Sequence, residues 1–252
     1  MAGVGLYQPA PRIGGGDDLR PVIYTVIIGA YEPLLPPRVI DLGADYVCLC
    51  DVRMPEVPPW EIRVVECGGL SAQRESRRFK ILSHCYFPDA EYTLYHDGNV
   101  QLKVVFPYQW LEKHDIATCS HPNTDSAYDE AERCLRLDKG DPQVIKAQMD
   151  RYRAEGFPEH AGAVGNSVIL RRHTDAIARF NEAWWEEIQQ GSVRDQISFN
   201  YVSWKLGIGY DGIPWGGAWD NDCFSYTLPK WHVSPIEGKW RREDEGACSG
   251  SD

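Results

Sequence analysis

The feature that most constrains this chain is a series of short apolar runs, each closed by a glycine or a polar residue. They are 22-VIYTVIIG-29, 45-DYVCLCD-51, 61-EIRVVEC-67 and 91-EYTLYHDGN-99. Short runs rich in β-branched and aromatic residues, with few polar alternates, read as strands covered on both faces. Such strands build a mostly parallel sheet with helices on both its faces, an α/β architecture. Two further runs, 114-HDIATCSHP-122 and 166-NSVILRRH-173, are candidate strands of the same sheet.

The helices between them are marked by their ends. Ser71 is suited to N-cap a helix over 72-AQRESRRFKIL-82. Asp141 and Pro142 open a second, with Val144, Ile145, Met149 and Tyr152 at helical spacing and Gly156 as its stop. Asp175 opens a third, carrying Ile177, Phe180, Trp184 and Ile188 inward until Gly191. The segment 192-SVRDQISFNYVSW-204 reads as a fourth, with Asp195 in the first turn, where the helix dipole favours an anion.

A length of 252 residues is enough for one substantial core. Residues 1–20 are rich in Gly and Pro and 241–252 are charged and small, so both read as flexible segments flanking a domain over 21–240. A net charge of −11 excludes a broad electrostatic footprint for nucleic acid or anionic membrane, while leaving room for a local basic pocket. Eight cysteines form no CxxC pair, which excludes a zinc ribbon and gives no disulfide framework. No stretch approaches the ~20 apolar residues of a membrane span, and the first residues lack a signal-peptide pattern. The expected location is cytoplasmic.

Parallel sheets bind ligands at the carboxyl ends of their strands, where Asp51 and the group Asp97-Gly98-Asn99 both fall. Two readings of that group stand side by side. Asp-Gly and Gly-Asn serve turns that need positive φ. A carboxylate and an amide one glycine apart also offer oxygen to a hard divalent cation at about 2.0–2.6 Å. The cations Arg74, Arg77, Arg78 and Lys80 similarly form either a solvated helix face or an anion-binding set. His232 stands out among seven histidines because it lies in the irregular, aromatic stretch over 213–240. There is no GxxxxGK[ST], the glycines at 14–16 precede the first strand, and no GxSxG occurs; a P-loop, a dinucleotide fingerprint and a serine hydrolase elbow are disfavoured.

The order of these motifs resembles a known pattern. The segments 22-VIYTVIIGAY-31, 76-SRRFKILSH-84, 92-YTLYHDGNVQL-102, 134-CLRLD-138 and 194-RDQISFNYV-202 are similar to the glycosyltransferase-like domain once known as unknown-function family 616, which includes plant proteins linked to mucilage and pollen-tube cell walls. Tyr24-Thr25, Gly29, Tyr31, Arg77 and Lys80 match its pattern, with Ser83-His84 in place of Pro-His. The wider resemblance is to the GT-A sugar-nucleotide transferases of the glycogenin and lipopolysaccharide galactosyltransferase group. It implies a single Rossmann-like GT-A domain in which 97-DGN-99 takes the D-x-D place, Asn99 replacing the second Asp. It also implies that 232-HVSPIEGKW-240 stands for a terminal motif with a metal-binding His and a phosphate-binding Lys.

What the resemblance implies is a glycosyltransferase using a nucleotide sugar, UDP-linked, and Mn or Mg held by Asp97, Asn99 and His232. Thr25, Gly29, Tyr31, Asp51, Arg77, Lys80, Asp97, Gly98, Asn99, Asn166, Gly238 and Lys239 are its expected donor-binding residues. Asp195 and Gln196 are the expected catalytic pair, either deprotonating the acceptor hydroxyl or, as the Asp-Gln pattern of retaining enzymes favours, positioning acceptor and sugar. The acceptor is a glycan or another hydroxyl compound. Trp and Asp in 209-GYDGIPWGGAWDND-222 suit sugar stacking and equally suit a subunit interface, so a homo-oligomer stays open. The rival reading is a GT-A-shaped binding protein without activity, for which Asn99 is the motive. A metal-dependent phosphohydrolase ranks last, because no second carboxylate cluster for two metals is visible.

Overall fold

The structure, a computed structural model, describes residues 5–7, 20–213, 220–227, 231–233 and 240–242. Its centre is a seven-stranded sheet. The strands are β1 (Val22–Ile27), β2 (Asp45–Cys50), β3 (Glu61–Val64), β4 (Tyr92–His96), β5 (Ile116–Ser120), β6 (Val164–Arg172) and β7 (Asp211–Ile213). Across the sheet they run β7-β5-β6-β4-β1-β2-β3. Only β6 is antiparallel to its neighbours; the other pairings are parallel. The mostly parallel Rossmann-like sheet expected from the apolar runs is therefore present.

Strand order reverses beside β1, with β2 and β3 added on one side and β4 on the other. Connections leaving the carboxyl ends of β1 and β4 diverge there, which marks the switch point at which sheets of this kind form a ligand crevice. The third apolar run forms an edge: in β3 Ile62 is half-buried and Val64 is 58% exposed. Arg63 and Glu61 pair there at 2.7 Å on the exposed side. Charge on an edge strand discourages pairing with another chain.

Among the described residues six segments are α-helical: α1 (Ala72–Ile81), α2 (Ser83–Tyr86), α3 (Ala127–Arg136), α4 (Pro142–Ala154), α5 (Asp175–Gln190) and α6 (Asp195–Leu206). The expected caps are in place. Ser71 Oγ accepts from Arg74 N at 3.3 Å, and Asp141 Oδ1 accepts from Gln143 N at 2.8 Å. Gly207 ends α6 at φ 64°, a left-handed conformation that suits glycine.

Alternation along β1 divides the core. Tyr24, Val26 and Ile28 face a cluster with Phe79, Ile145, Phe180, Trp184 and Phe199 from the helices. Ile23 and Ile27 face a second cluster, filled by Leu34, Trp60, Val100, Leu102, Trp110 and Phe224. Among the described residues no α-helix contributes to this second cluster. Helices thus cover one face, where the sequence predicted both. The physical reason is that the β1–β2 and β2–β3 connections, residues 28–44 and 51–60, contain no helix and bring Leu34 and Trp60 onto the sheet as loops. No described helix is long and apolar enough to cross a membrane.

Trp184 joins the core to the start of α6. It is 0% exposed, and its Nε1 donates to Asp195 O at 3.2 Å and Ser198 Oγ at 3.1 Å. Trp184→Phe removes that donor and leaves a void, so urea unfolding should show a loss of about 2–4 kcal/mol.

Candidate active site

The crevice is built outward from the end of β4. Asp97 N still donates to Ser167 O of β6 at 2.8 Å, so the Asp97-Gly98-Asn99 group begins in register with the sheet. Asp97 Oδ1 accepts from Tyr95 Oη at 2.7 Å and lies 3.5 Å from Lys80 Nζ. Tyr95 is buried, whereas the Asp97 side chain is 36% exposed. One carboxylate oxygen is therefore held from below while the group as a whole stays accessible.

Helix α1 sorts its four cations by geometry. Arg74 donates to the carbonyls of Ile188 and Gly191, fastening α1 to the end of α5. Arg78 donates to Glu66 O at 3.0 Å and pairs with Glu75 at 2.8 Å. Arg77 and Lys80, three residues apart, share a helix face and converge on Asp195. Arg77 Nε is 3.2 Å from Asp195 Oδ1, and Lys80 Nζ is 2.7 Å from Oδ2. The four-residue basic cluster is thus half scaffold and half site.

Asp195 is 2% exposed. Burial pushes its carboxyl up, but the Arg77 guanidinium and then the Lys80 ammonium outweigh this and hold it well below the usual carboxylate range. A carboxylate stabilised in this way is a weak base, so the geometry favours orienting Arg77 and Lys80 over abstracting a proton. Gln196 is tied down on both sides: Oε1 accepts from Arg194 Nη2 at 2.6 Å, and Nε2 donates to Gly165 O at 3.3 Å.

Gly98 is not among the residues with positive φ. Close approach explains it instead, since a Cβ there would lie 2.6 Å from Glu32 Oε2. Glu32 follows β1, accepts from the Asn99 backbone N–H, and stands beside Asp97. Burial first, and then the Asp97 charge, push its carboxyl up to about 7 against the pull of the Asn99 N–H and Arg77. Sequence reasoning missed Glu32. The available signal was a carboxylate two residues after Gly29-Ala30, where β1 opens onto the switch point.

Other expected residues fall in different places. Thr25 is 0% exposed within β1, paired with Cys48, and forms part of the sheet interior instead of the mouth. Gly29, at φ 75°, donates its N–H to Asp51 Oδ1 at 2.9 Å, so Asp51 shapes the turn after β1. Tyr31 is 63% exposed on the following loop. Asn166 is fully buried at φ 55°, with Oδ1 accepting from Thr118 Oγ1 at 3.3 Å and Nδ2 without a hydrogen-bond partner. The side chain of His232, and Gly238 and Lys239, lie outside the described residues.

Beyond the seven-stranded sheet, Phe224–Tyr226 pairs antiparallel with Val100–Leu102. Thr227 N donates to Asn99 O at 2.8 Å, and the Tyr226 hydroxyl contacts Ser167 Oγ. Both backbone polar groups of Asn99 are therefore held, one by Glu32 and one by Thr227. Toward the other end of β6, paired with Thr93 at the start of β4, lies Arg171, 0% exposed, whose Nη1 donates to Tyr24 Oη at 3.4 Å. Its Nε and Nη2 have no hydrogen-bond partner, and among the described residues no carboxylate pairs with it.

A Rossmann-like sheet with a carboxylate and cation cluster at its switch point defines an α/β protein of the kind that carries its site at the strands' carboxyl ends. Residues 53–214 match the TOD1/MUCI70 glycosyltransferase-like domain, and the chain belongs to that family. Over 162 residues it is 32% identical to the probable hexosyltransferase MUCI70 of Arabidopsis thaliana, covering 58% of this chain and 28% of that protein. Over 137 residues it is 26% identical to the alkaline ceramidase TOD1 of the same plant, covering 49% of this chain and 30% of that protein. The chain spans less than a third of the length of either relative.

The buried network makes a stability prediction. Asp195→Asn leaves Arg77 and Lys80 facing an uncharged amide and should lower the unfolding free energy by about 3–5 kcal/mol at neutral pH. Because the folded-state pKa is depressed, the wild-type advantage is complete above the unfolded value of about 3.9 and shrinks as pH falls further. Urea unfolding of both proteins at neutral and acid pH measures this; a gap that widens in acid contradicts it.

Proposed function

We propose that this chain transfers a hexose from a nucleotide-diphosphate sugar, UDP-linked, to a hydroxyl acceptor. The observation that carries the reading is Lys80, whose ammonium joins Asp97 at the switch point to Asp195 at the start of α6. Breaking a sugar–phosphate bond places negative charge on the departing diphosphate, and preorganised cations at that point stabilise it. Arg77 and Lys80 supply two fixed positive charges there, with Asp195 holding both in place.

The donor set fits a hard divalent cation, Mn or Mg. Asp97, the Asn99 carboxamide and Glu32 would offer oxygen to it, and the crowding of Glu32 against Asp97 is the kind of like-charge contact a cation relieves. Among the described residues no three His, Cys, Asp or Glu stand together as a complete site, so donor phosphates and His232 would complete the shell. A bound cation would supply charge neutralisation at the phosphates. Tyr95 fixes the Asp97 carboxylate for this role. Gly29 and Tyr31, on the loop after β1, form the base and ribose side; Asp195 acts through Arg77 and Lys80, and Gln196 beside it lines the sugar and acceptor side, in line with retention of configuration.

A second reading, a sugar-nucleotide or glycan binding protein without turnover, is favoured by one observation: Lys80 already lies 3.5 Å from Asp97, and Asn99 brings no charge. The longer and more identical of the two matches, to a probable hexosyltransferase, supports transfer. Calorimetry with a panel of UDP-sugars, with and without Mn, tests both. Asp97→Ala should abolish Mn-dependent binding while leaving the unfolding midpoint close to wild type. Tyr95→Phe should weaken that binding about 10–100-fold, the usual effect of releasing a ligand's supporting hydrogen bond. Mn-dependent binding unchanged in Asp97→Ala overturns the site, and binding without sugar transfer selects the second reading.

A further inference from the structure

The sheet ends at β3 with one side open. Among the described residues β3 pairs only with β2, and no strand continues the sheet beyond it. Val65 N, one step past β3, donates to Cys50 O at 2.8 Å. Backbone groups of successive strand residues point to opposite edges, so Glu61 and Arg63 turn theirs toward β2 while Ile62 and Val64 turn theirs outward. Side chains alternate between the two faces with the same period. Glu61 and Arg63 share one face and pair at 2.7 Å, their side chains 59% and 43% exposed. Ile62 and Val64 share the other, where Ile62 packs against the second core cluster and Val64 is 58% exposed.

On that second face the edge is hollow. A cavity of about 380 Å³ lies against β3, lined among others by Met54, Val57, Pro58, Trp60, Ile62 and Val64. Charges on this edge resist pairing in most registers, and one register satisfies them. With a second β3 antiparallel and Ile62 opposite Ile62, each Glu61 faces the partner's Arg63 and each Val64 faces the partner's Trp60. The two Ile62 residues then exchange their outward N–H and C=O groups. The Glu61–Arg63 pairs fall at the non-hydrogen-bonded positions, where opposite side chains come closest. The exposed valine of each copy meets the hollow of the other. A slip by one residue sets a charged side chain against Ile62, and a slip by two sets Glu61 against Glu61 or Arg63 against Arg63. A single register thus fits backbone, charge and shape together.

We propose that β3 pairs with β3 of a second copy of this chain, antiparallel about a two-fold axis at Ile62, so that the two sheets run on as one. The partner is a second copy because the edge complements itself. Glu61 and Arg63 lie one residue to either side of Ile62, and Trp60 and Val64 lie two residues to either side, as a two-fold axis requires. This pairing does not rest on the transfer reading, since the switch point lies between β1 and β4, with β2 between it and the edge.

Sedimentation velocity of the whole chain, from micromolar to millimolar concentration, is the test. Reducing buffer keeps the exposed thiol of Cys67 from cross-linking copies. The wild type should pass from monomer to dimer as concentration rises. Glu61→Arg sets arginine opposite arginine at two places, and Arg63→Glu sets glutamate opposite glutamate, so each should weaken the dimer at least about ten-fold. Together, Glu61→Arg/Arg63→Glu restores opposite charges across the axis and should bring dimerisation back to within about three-fold of wild type. Val64→Asp keeps both charges but places a carboxylate against the hollow, and should weaken the dimer at least about ten-fold. Substitutions at these exposed positions leave the fold intact, so far-ultraviolet circular dichroism of every variant should match wild type. Loss in each single charge variant with recovery in the double supports the pairing. A wild type that stays monomeric throughout, a dimer that Glu61→Arg leaves unchanged, or a double variant no stronger than the singles overturns it.

Discussion

The site depends on one buried ammonium. Lys80, 1% exposed, stands 2.7 Å from Asp195 and 3.5 Å from Asp97. A lysine so deeply buried is tolerated only when paired, and here it joins the end of α1, the start of α6 and the end of β4. Tyr24 donates to Lys80 O at 2.7 Å, which secures the same helix turn from the sheet side. Arg77 shares Asp195, and Tyr95 shares Asp97, so each carboxylate has a neutralising and a directing partner. The arrangement explains how two acids and two bases converge at a strand end without repelling the elements that carry them.

Much of the frame was legible in the sequence because local chemistry determines it. Ser71 and Asp141 cap helices whose periodicity was plain, and the apolar runs of β1, β2 and β4 became adjacent parallel strands. The antiparallel direction of β6 was not legible, because 166-NSVILRR-172 carries the same residue types whichever way it runs. Helices on one face alone were also hidden, since the loops that cover the other face bury isolated residues such as Leu34 and Trp60 without a period. Within α1, four cations look alike on paper; only the neighbouring helix and loop decide that Arg74 and Arg78 bond carbonyls while Arg77 and Lys80 meet Asp195. Glu32 was invisible for a related reason. Its role comes from proximity to Gly98, sixty-six positions further along the chain.

The region shared with the family begins after β1 and β2 and ends before Phe224–Tyr226. It contains Arg77, Lys80, Asp97 and Asp195, the charged centre of the crevice. Glu32, Gly29 and Asp51 come before it, and Thr227, which holds Asn99 O, comes after. The shared domain therefore supplies the charges, and flanking segments of this chain fix the turn on which one of them is presented.

Arg171 gives the fold a further property. Its guanidinium is sealed beneath Tyr24 with no carboxylate among the described residues to cancel it, in a protein whose net charge is −11. The net charge thus repels polyanions at a distance, while the interior keeps a guanidinium that no carboxylate among the described residues offsets. Water does not screen that interior charge as it screens a surface lysine. The result is a separation of charge by depth: negative on balance over the whole chain, and positive at this one sealed point.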